Sequence, residues 1–251
     1  WLASRGSAGV WGSHAAALRC SVAETLLFRG EPDAADALLA ELAGPGPAGL
    51  RAAVLATRGR WDEAAAGFET ALAELRKRTG ARKDLLPSQL GWLYPMCLFA
   101  SRDAQRIARA RRFCATESGT RDPQLYQPWG PWVHAADMRL GDRPREPGFL
   151  RPHERAGVRP TLETVQRRML QAWSAAGHGA VGDAGDCTGL LERLRACELH
   201  WLAAQVEAAD DVLAGRAPRV PFFASAGQDA WRDALAAIAA LGHGEAAAQA
   251  D

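Results

Sequence analysis

Three groupings of residues in this 251-residue chain have the types and spacing to do chemistry. The first is Gly177-His178-Gly179-Ala180-Val181-Gly182, which spells GxGxxG. Such a run binds a dinucleotide only where it leaves a strand and opens a helix, so that the helix N-terminus meets the pyrophosphate. Here a helical pattern precedes the glycines, and Gly185 and Gly189 follow. The run reads as an interhelical loop. The second grouping is Cys187, Cys197 and His200. Cys197 and His200 are i, i+3 on one helical pattern, a spacing a metal could use. No CxxC and no second ligand pair accompany them, so Cys197 is expected in the core. The third is positive charge, in Arg76–Lys83 (RKRTGARK), Arg106–Arg112 (RIARARR) and Arg139–Arg159. On a shared face these could hold phosphate or carboxylate groups. Acidic residues dilute them and no aromatic is interleaved for base stacking, so solvated helix faces are the plainer reading.

Other catalytic patterns are missing. His14, His134, His153, His178 and His243 form no triad-like or HExxH arrangement, and each is expected on the surface or in a loop. The only lysines, Lys77 and Lys83, follow no glycine, and there is no GxxxxGK[ST] phosphate loop. No catalytic, cofactor-binding or metal-ligating residue is therefore expected, and no ATP hydrolysis within these residues. The site expectation is electrostatic: Arg76, Lys77, Arg78, Arg82 and Lys83. The helix dipole accounts for the residues of the last turn. Arg82 and Lys83 lie past Gly80 and gain little from it. A surplus of cations on an ordered turn suits docking to the DNA backbone or to an acidic protein face.

These residues need elements to position them, and the elements read as helices. Strand signals are nearly absent. Amphipathic patterns predict helices at 13–28, 33–43, 47–58, 61–79, 87–100, 103–117, 123–140, 161–176, 189–214 and 228–241. In the fourth, Trp61, Ala64, Ala65, Phe68, Ala71, Leu72 and Leu75 make one apolar stripe. Its alanines allow a close neighbour, and Trp61 and Phe68 are expected as core anchors. The stretch FRGEPDAADALLAEL (Phe28 to Leu42) echoes TRGRWDEAAAGFETAL (Thr57 to Leu72). Gly30 and Gly59 hold the turn and Ala35 and Ala64 the small position. Phe99 to Phe113 is a degenerate third copy. The fold class expected is all-α: an irregular array of antiparallel helical hairpins, a tetratricopeptide-like α-solenoid. The organisation expected is a hairpin region over 1–140, an Arg/Pro/Gly-rich linker or long loop over 141–160, and C-terminal helices over 161–251 packing on the same array.

A formal net charge of +1 gives no global field to recruit nucleic acid or a membrane. Five scattered cysteines, odd in number, read as buried free thiols in a reducing cytoplasm. No apolar run reaches the ~18–20 residues of a membrane span. The chain opens on Trp1 with no signal-peptide pattern, and reads as a piece of a longer protein.

The order of segments resembles a family. RGRWDEAAAGFETALAELRKRTGARKDLLPSQLGWLYPMCLFAS (58–101) looks like the helical region that precedes the motor in large bacterial Swi/Snf-type DEAD/DEAH-box helicases. There, a W-[DE]-x-A…F-x-x-A-L helix ends in a basic turn, and a leucine–proline step and an aromatic–aliphatic helix follow. DPQLYQPWGPWVHAADMRLGD, ACELHWLAAQVEAADDVLAG and DAWRDALAAIAAL are similar to later segments of that region. The resemblance implies a non-catalytic interaction or regulatory region of an ATP-driven DNA translocase. It implies an intramolecular motor domain or a protein as partner, a contact with the DNA backbone, and no membrane. ATP and Mg²⁺ would belong only to a motor elsewhere in the parent. The chain departs from the family in its glycine-rich 177–189 segment. A stand-alone tetratricopeptide-like adaptor for protein partners is the alternative.

Overall fold

The computed structural model describes residues 10–79, 90–101, 103–118, 129–141, 162–176 and 186–225. Among these the chain is helical throughout, with no strand. The helices are α1 (Val10–Arg29), α2 (Pro32–Leu39), α3 (Pro45–Thr57), α4 (Trp61–Thr79), α5 (Leu93–Ala100), α6 (Ala104–Ser118), α7 (Trp129–Leu140), α8 (Leu162–Ala176), α9 (Thr188–Ala196) and α10 (His200–Leu213). A 3₁₀ turn, Phe223–Ser225, follows. No described helix is long and apolar enough to cross a membrane.

The turns are built as the repeated glycines suggest. Gly30 and Gly59 take φ of +84° and +77°, the left-handed conformation that a side chain resists. Each closes its helix with a pair of backbone bonds: Gly30 N–H to Leu27 O and Glu31 N–H to Leu26 O, then Gly59 N–H to Ala56 O and Arg60 N–H to Leu55 O. Pro32 and Pro45 start the following helices, where a missing N–H costs nothing. Ala35 and Ala64, the paired small positions, are fully buried. The α3–α4 approach is close because small residues face each other. A β-carbon added at Gly67 would stand 3.0 Å from the Ala52 β-carbon. Arg51 reaches the end of α2 and donates to Leu39 O and Leu42 O at 2.9 Å each, occupying carbonyls the helix leaves open.

Each helix from α1 to α7 packs on the next, and α10 packs on α8 and α9. Alternate helices also touch, α1 with α3 and α3 with α5, and α10 returns to contact α1. At the centre lies α5, LYPMCLFA, with all eight residues buried. A helix apolar on every side has no solvent face to offer, so its neighbours must surround it. Aromatic rings fill the space. Phe99 stacks on Trp173 with centroids 4.5 Å apart, and Trp92 meets both Trp132 and Trp201 at about 6 Å. Two buried indoles also tie helices by hydrogen bonds. Trp132 Nε1 donates to Gln166 Oε1 (2.7 Å), and Trp173 Nε1 donates to Phe99 O (3.1 Å) at the open end of α5.

Four expectations need correction. The helix read over 189–214 is two helices. Leu199 N–H bonds to Leu194 O and Glu198 N–H to Arg195 O, with Glu198 at φ +58°. This is the same closure as at Gly30, here with glutamate in the left-handed seat, where a side chain costs roughly 1 kcal/mol. Cys197 therefore ends α9 and is exposed, not in the core. His134 is buried on α7, not on the surface, because α7 presents most of its circumference to α6 and α8. Trp61 is only half-buried, since it opens α4 at the rim of the hairpin, whereas Phe68 is 2% exposed. The expected 228–241 helix, most of the 141–160 segment and the Gly177–Gly182 run lie outside the described residues.

Candidate functional site

The first two basic runs meet at one place. Arg76, near the end of α4, and Arg109 and Arg112, on α6, line a cleft of about 370 Å³. Glu69 and Leu72 of α4, Tyr94 of α5, and Phe113 and Thr116 of α6 complete its walls. The helical period explains the convergence. Glu69, Leu72 and Arg76 are i, i+3 and i+7 on α4; Arg109, Arg112, Phe113 and Thr116 are i, i+3, i+4 and i+7 on α6. Each set is one face, and α5, packed against both helices, places Tyr94 between them. Asp103 fixes the start of α6: its Oδ1 accepts the Gln105 N–H at 2.6 Å.

The arginines of α6 follow a pattern. Arg106 pairs with Asp62 of α4, Arg109 with Glu69 of α4 at 2.5 Å, and Arg111 with Asp137 of α7. These cross-helix pairs fix the rotation of α6 against its neighbours. Asp137 is almost wholly buried, so the Arg111 pair is the one with most at stake. Arg112 is different. It is exposed, and among the described residues no carboxylate lies within ion-pair distance of it.

Glu69 is the hub of the cleft. One of its oxygens accepts from Arg109, and the Tyr94 hydroxyl stands 3.4 Å from the same atom. Burial, and then the charge of Glu69, push the Tyr94 phenol up to about 12. Glu69 in turn holds the Arg109 guanidinium more firmly charged than usual. Tyr94 and Phe113 pack edge to face at 5.0 Å and are 4% and 8% exposed, so neither ring face is open to a stacking base.

Of the five basic residues expected to act together, the structure brings only Arg76 to this cleft. Arg78 is exposed and pairs with Glu74 one turn back, with its guanidinium beside Gly44, while Lys77 is exposed. Arg82 and Lys83 lie outside the described residues. Tyr94, Glu69 and Thr116 were not anticipated. The i, i+4 and i, i+7 spacings were present in the sequence, but nothing in it says that α4 and α6 face each other across α5. Among the described residues no three His, Cys, Asp or Glu side chains cluster where a metal ion could sit. Burial raises the Cys97 and Cys114 thiols, which makes them poor nucleophiles.

Comparisons with protein-family models, curated proteins and solved structures find no match to this chain.

Proposed function

We propose that this chain is a non-catalytic helical interaction region whose partner docks on the arginine-lined cleft between α4 and α6. One observation carries the reading: Arg76 from the first basic run and Arg109 and Arg112 from the second line a single opening on a helical scaffold. Convergent guanidiniums recognise carboxylate or phosphate, and a rigid scaffold reduces the ordering cost of binding. Consecutive packing from α1 to α7, with contacts between alternate helices, fits a tetratricopeptide-like array.

The resemblance of 58–101 to the region beside a Swi/Snf-type motor supplies the setting: regulation or docking of an ATP-dependent DNA helicase or translocase. The partner is then the motor lobe, with the exposed Lys77 best placed for DNA phosphates, since its neighbour Arg78 is already paired with Glu74. The second reading is a stand-alone adaptor. The return of α10 onto α1 favours it, because an array that closes on itself is a self-contained body and not an open ladder.

Reading the coding sequence beyond Asp251 separates the two. A lysine-bearing phosphate loop and an acidic box support the motor setting, and a stop codon overturns it in favour of the adaptor. DNA binding of the isolated chain, measured at two salt concentrations, tests the nucleic-acid contact. A steep loss with salt supports it, and absence of binding at low salt removes it.

A further inference from the structure

We infer that the α4–α6 cleft is a receptor for a carboxylate side chain of an acidic protein segment, and that Glu69 occupies part of it as a built-in competitor. The inference rests on the interaction reading above but needs no motor domain. Helix α6 carries four arginines. Three of them, Arg106, Arg109 and Arg111, are matched to carboxylates on α4 or α7. Arg112, one turn beyond Arg109 on the same face, is exposed at the cleft and has no such match among the described residues.

The cleft already holds a carboxylate. Glu69 accepts from Arg109 at 2.5 Å within reach of the Tyr94 hydroxyl. The walls therefore suit a planar carboxylate group, which guanidinium forks recognise well. Charge is compatible: Arg76, Arg109 and Arg112 line the cleft against Glu69, a surplus of positive charge that an incoming carboxylate reduces.

Nucleic acid fits less well. Sequence-tolerant single-strand binding uses exposed aromatic faces, and those of Tyr94 and Phe113 are covered. A duplex backbone is held by cations in series, and here Glu69 already neutralises Arg109, one of the three. A volume of about 370 Å³ admits one or two side chains, not a nucleotide run.

An incoming carboxylate first meets Arg112. It then shares or takes Arg109, and Glu69 swings toward solvent; its side chain is 42% exposed, so the way out is open. Removing the Glu69 charge should thus strengthen binding, the reverse of what a purely positioning residue would give.

The experiment is fluorescence anisotropy of a labelled hexaglutamate peptide with the full chain, with hexaglutamine as the uncharged control. Arg112→Gln should weaken binding about ten-fold, the worth of one hydrogen bond to a charged group. Arg219→Gln makes the same change in net charge at an exposed position away from the cleft, and should change affinity by less than about two-fold. Glu69→Gln should tighten binding several-fold. Equal losses in Arg112→Gln and Arg219→Gln would mean general electrostatic attraction and would overturn the site. Weaker binding in Glu69→Gln would overturn the competitor role. If Arg112→Gln lowers affinity for a short DNA duplex but leaves hexaglutamate unaffected, the cleft is a nucleic-acid contact and the inference fails while the interaction reading stands. Urea melts matching the parent protein keep each variant interpretable.

Discussion

Gly59→Ala and Gly215→Ala form a matched pair that measures one packing contact. Both glycines sit at the left-handed seat of the same helix closure, with φ of +77° and +72° and the same two backbone bonds behind them. Alanine in that seat costs about 1–2 kcal/mol, partly offset by about 0.4–1 kcal/mol from a stiffer unfolded chain. Gly215→Ala should therefore lose roughly 1 kcal/mol, because its new β-carbon meets nothing within 4 Å. At Gly59 the new atom would stand 2.8 Å from the Pro221 β-carbon, inside any real contact distance. Pro221 precedes the 3₁₀ turn that packs on α5 and α8, and its carbonyl accepts from Gln205 Nε2 at 3.2 Å, so it is not free to yield. Overpacking of this kind costs about 1–3 kcal/mol more. The difference between the two variants is the worth of the Gly59–Pro221 approach. Urea denaturation of Gly59→Ala, Pro221→Gly and the double variant, beside Gly215→Ala, measures it as a cycle. Measured from Pro221→Gly, the Gly59→Ala change should cost little more than Gly215→Ala does. Equal losses at Gly59 and Gly215 would refute the docking of the 3₁₀ segment against the α3–α4 turn.

Phe68→Ala should cost about 3–5 kcal/mol in the same assay, whereas half-buried Trp61→Ala should cost less than half of that; equal losses would put Trp61 back in the core. Tyr94 should stay neutral until about pH 12, while the unfolded chain ionises near the ordinary value of about 10. The stability this contributes is complete below about pH 10 and is lost as pH rises toward 12, an amount of roughly 2 kcal/mol after screening by the open cleft. Phenolate absorbance should resolve a late-titrating tyrosine of the chain's two, and a single transition near pH 10 would contradict this. Asp210→Asn should destabilise by about 2–4 kcal/mol, since it strips the carboxylate held at 2.6 Å from Arg168, a guanidinium only 2% exposed. Arg168→Met, which removes the buried charge itself, should cost less; the opposite order in denaturant titrations would refute the desolvation argument. The isolated chain should show no saturable ATP binding by calorimetry at micromolar concentrations, because its sequence has no phosphate loop.

Sequence periodicity was enough to read most of the helices and the glycine turns between them. The repeated Gly30 and Gly59, the small Ala35 and Ala64, and the α4 stripe each correspond to a local rule that the tertiary structure leaves intact. The break at Glu198 was hidden because the left-handed seat carries glutamate. The Arg29 guanidinium, 2.9 Å from Glu198, supplies a partner that a sequence pattern does not reveal. The burial of His134, Asp137, Gln166 and Arg168 was hidden for a related reason: polar residues signal a surface unless their partners are known. The cleft was half legible. Its cations stood out as two runs, but their meeting depends on α5 separating α4 from α6, a long-range contact that no window of sequence encodes.

Docking of partners at the α4–α6 cleft is tested most directly by hydrogen exchange of the full chain with and without the hexaglutamate peptide. Exchange should slow only in the segments around Glu69–Arg76 and Arg109–Thr116, and this protection should be abolished in Arg112→Gln. Protection instead around the exposed Leu18 and Val22 of α1, or none at saturating peptide, would contradict it.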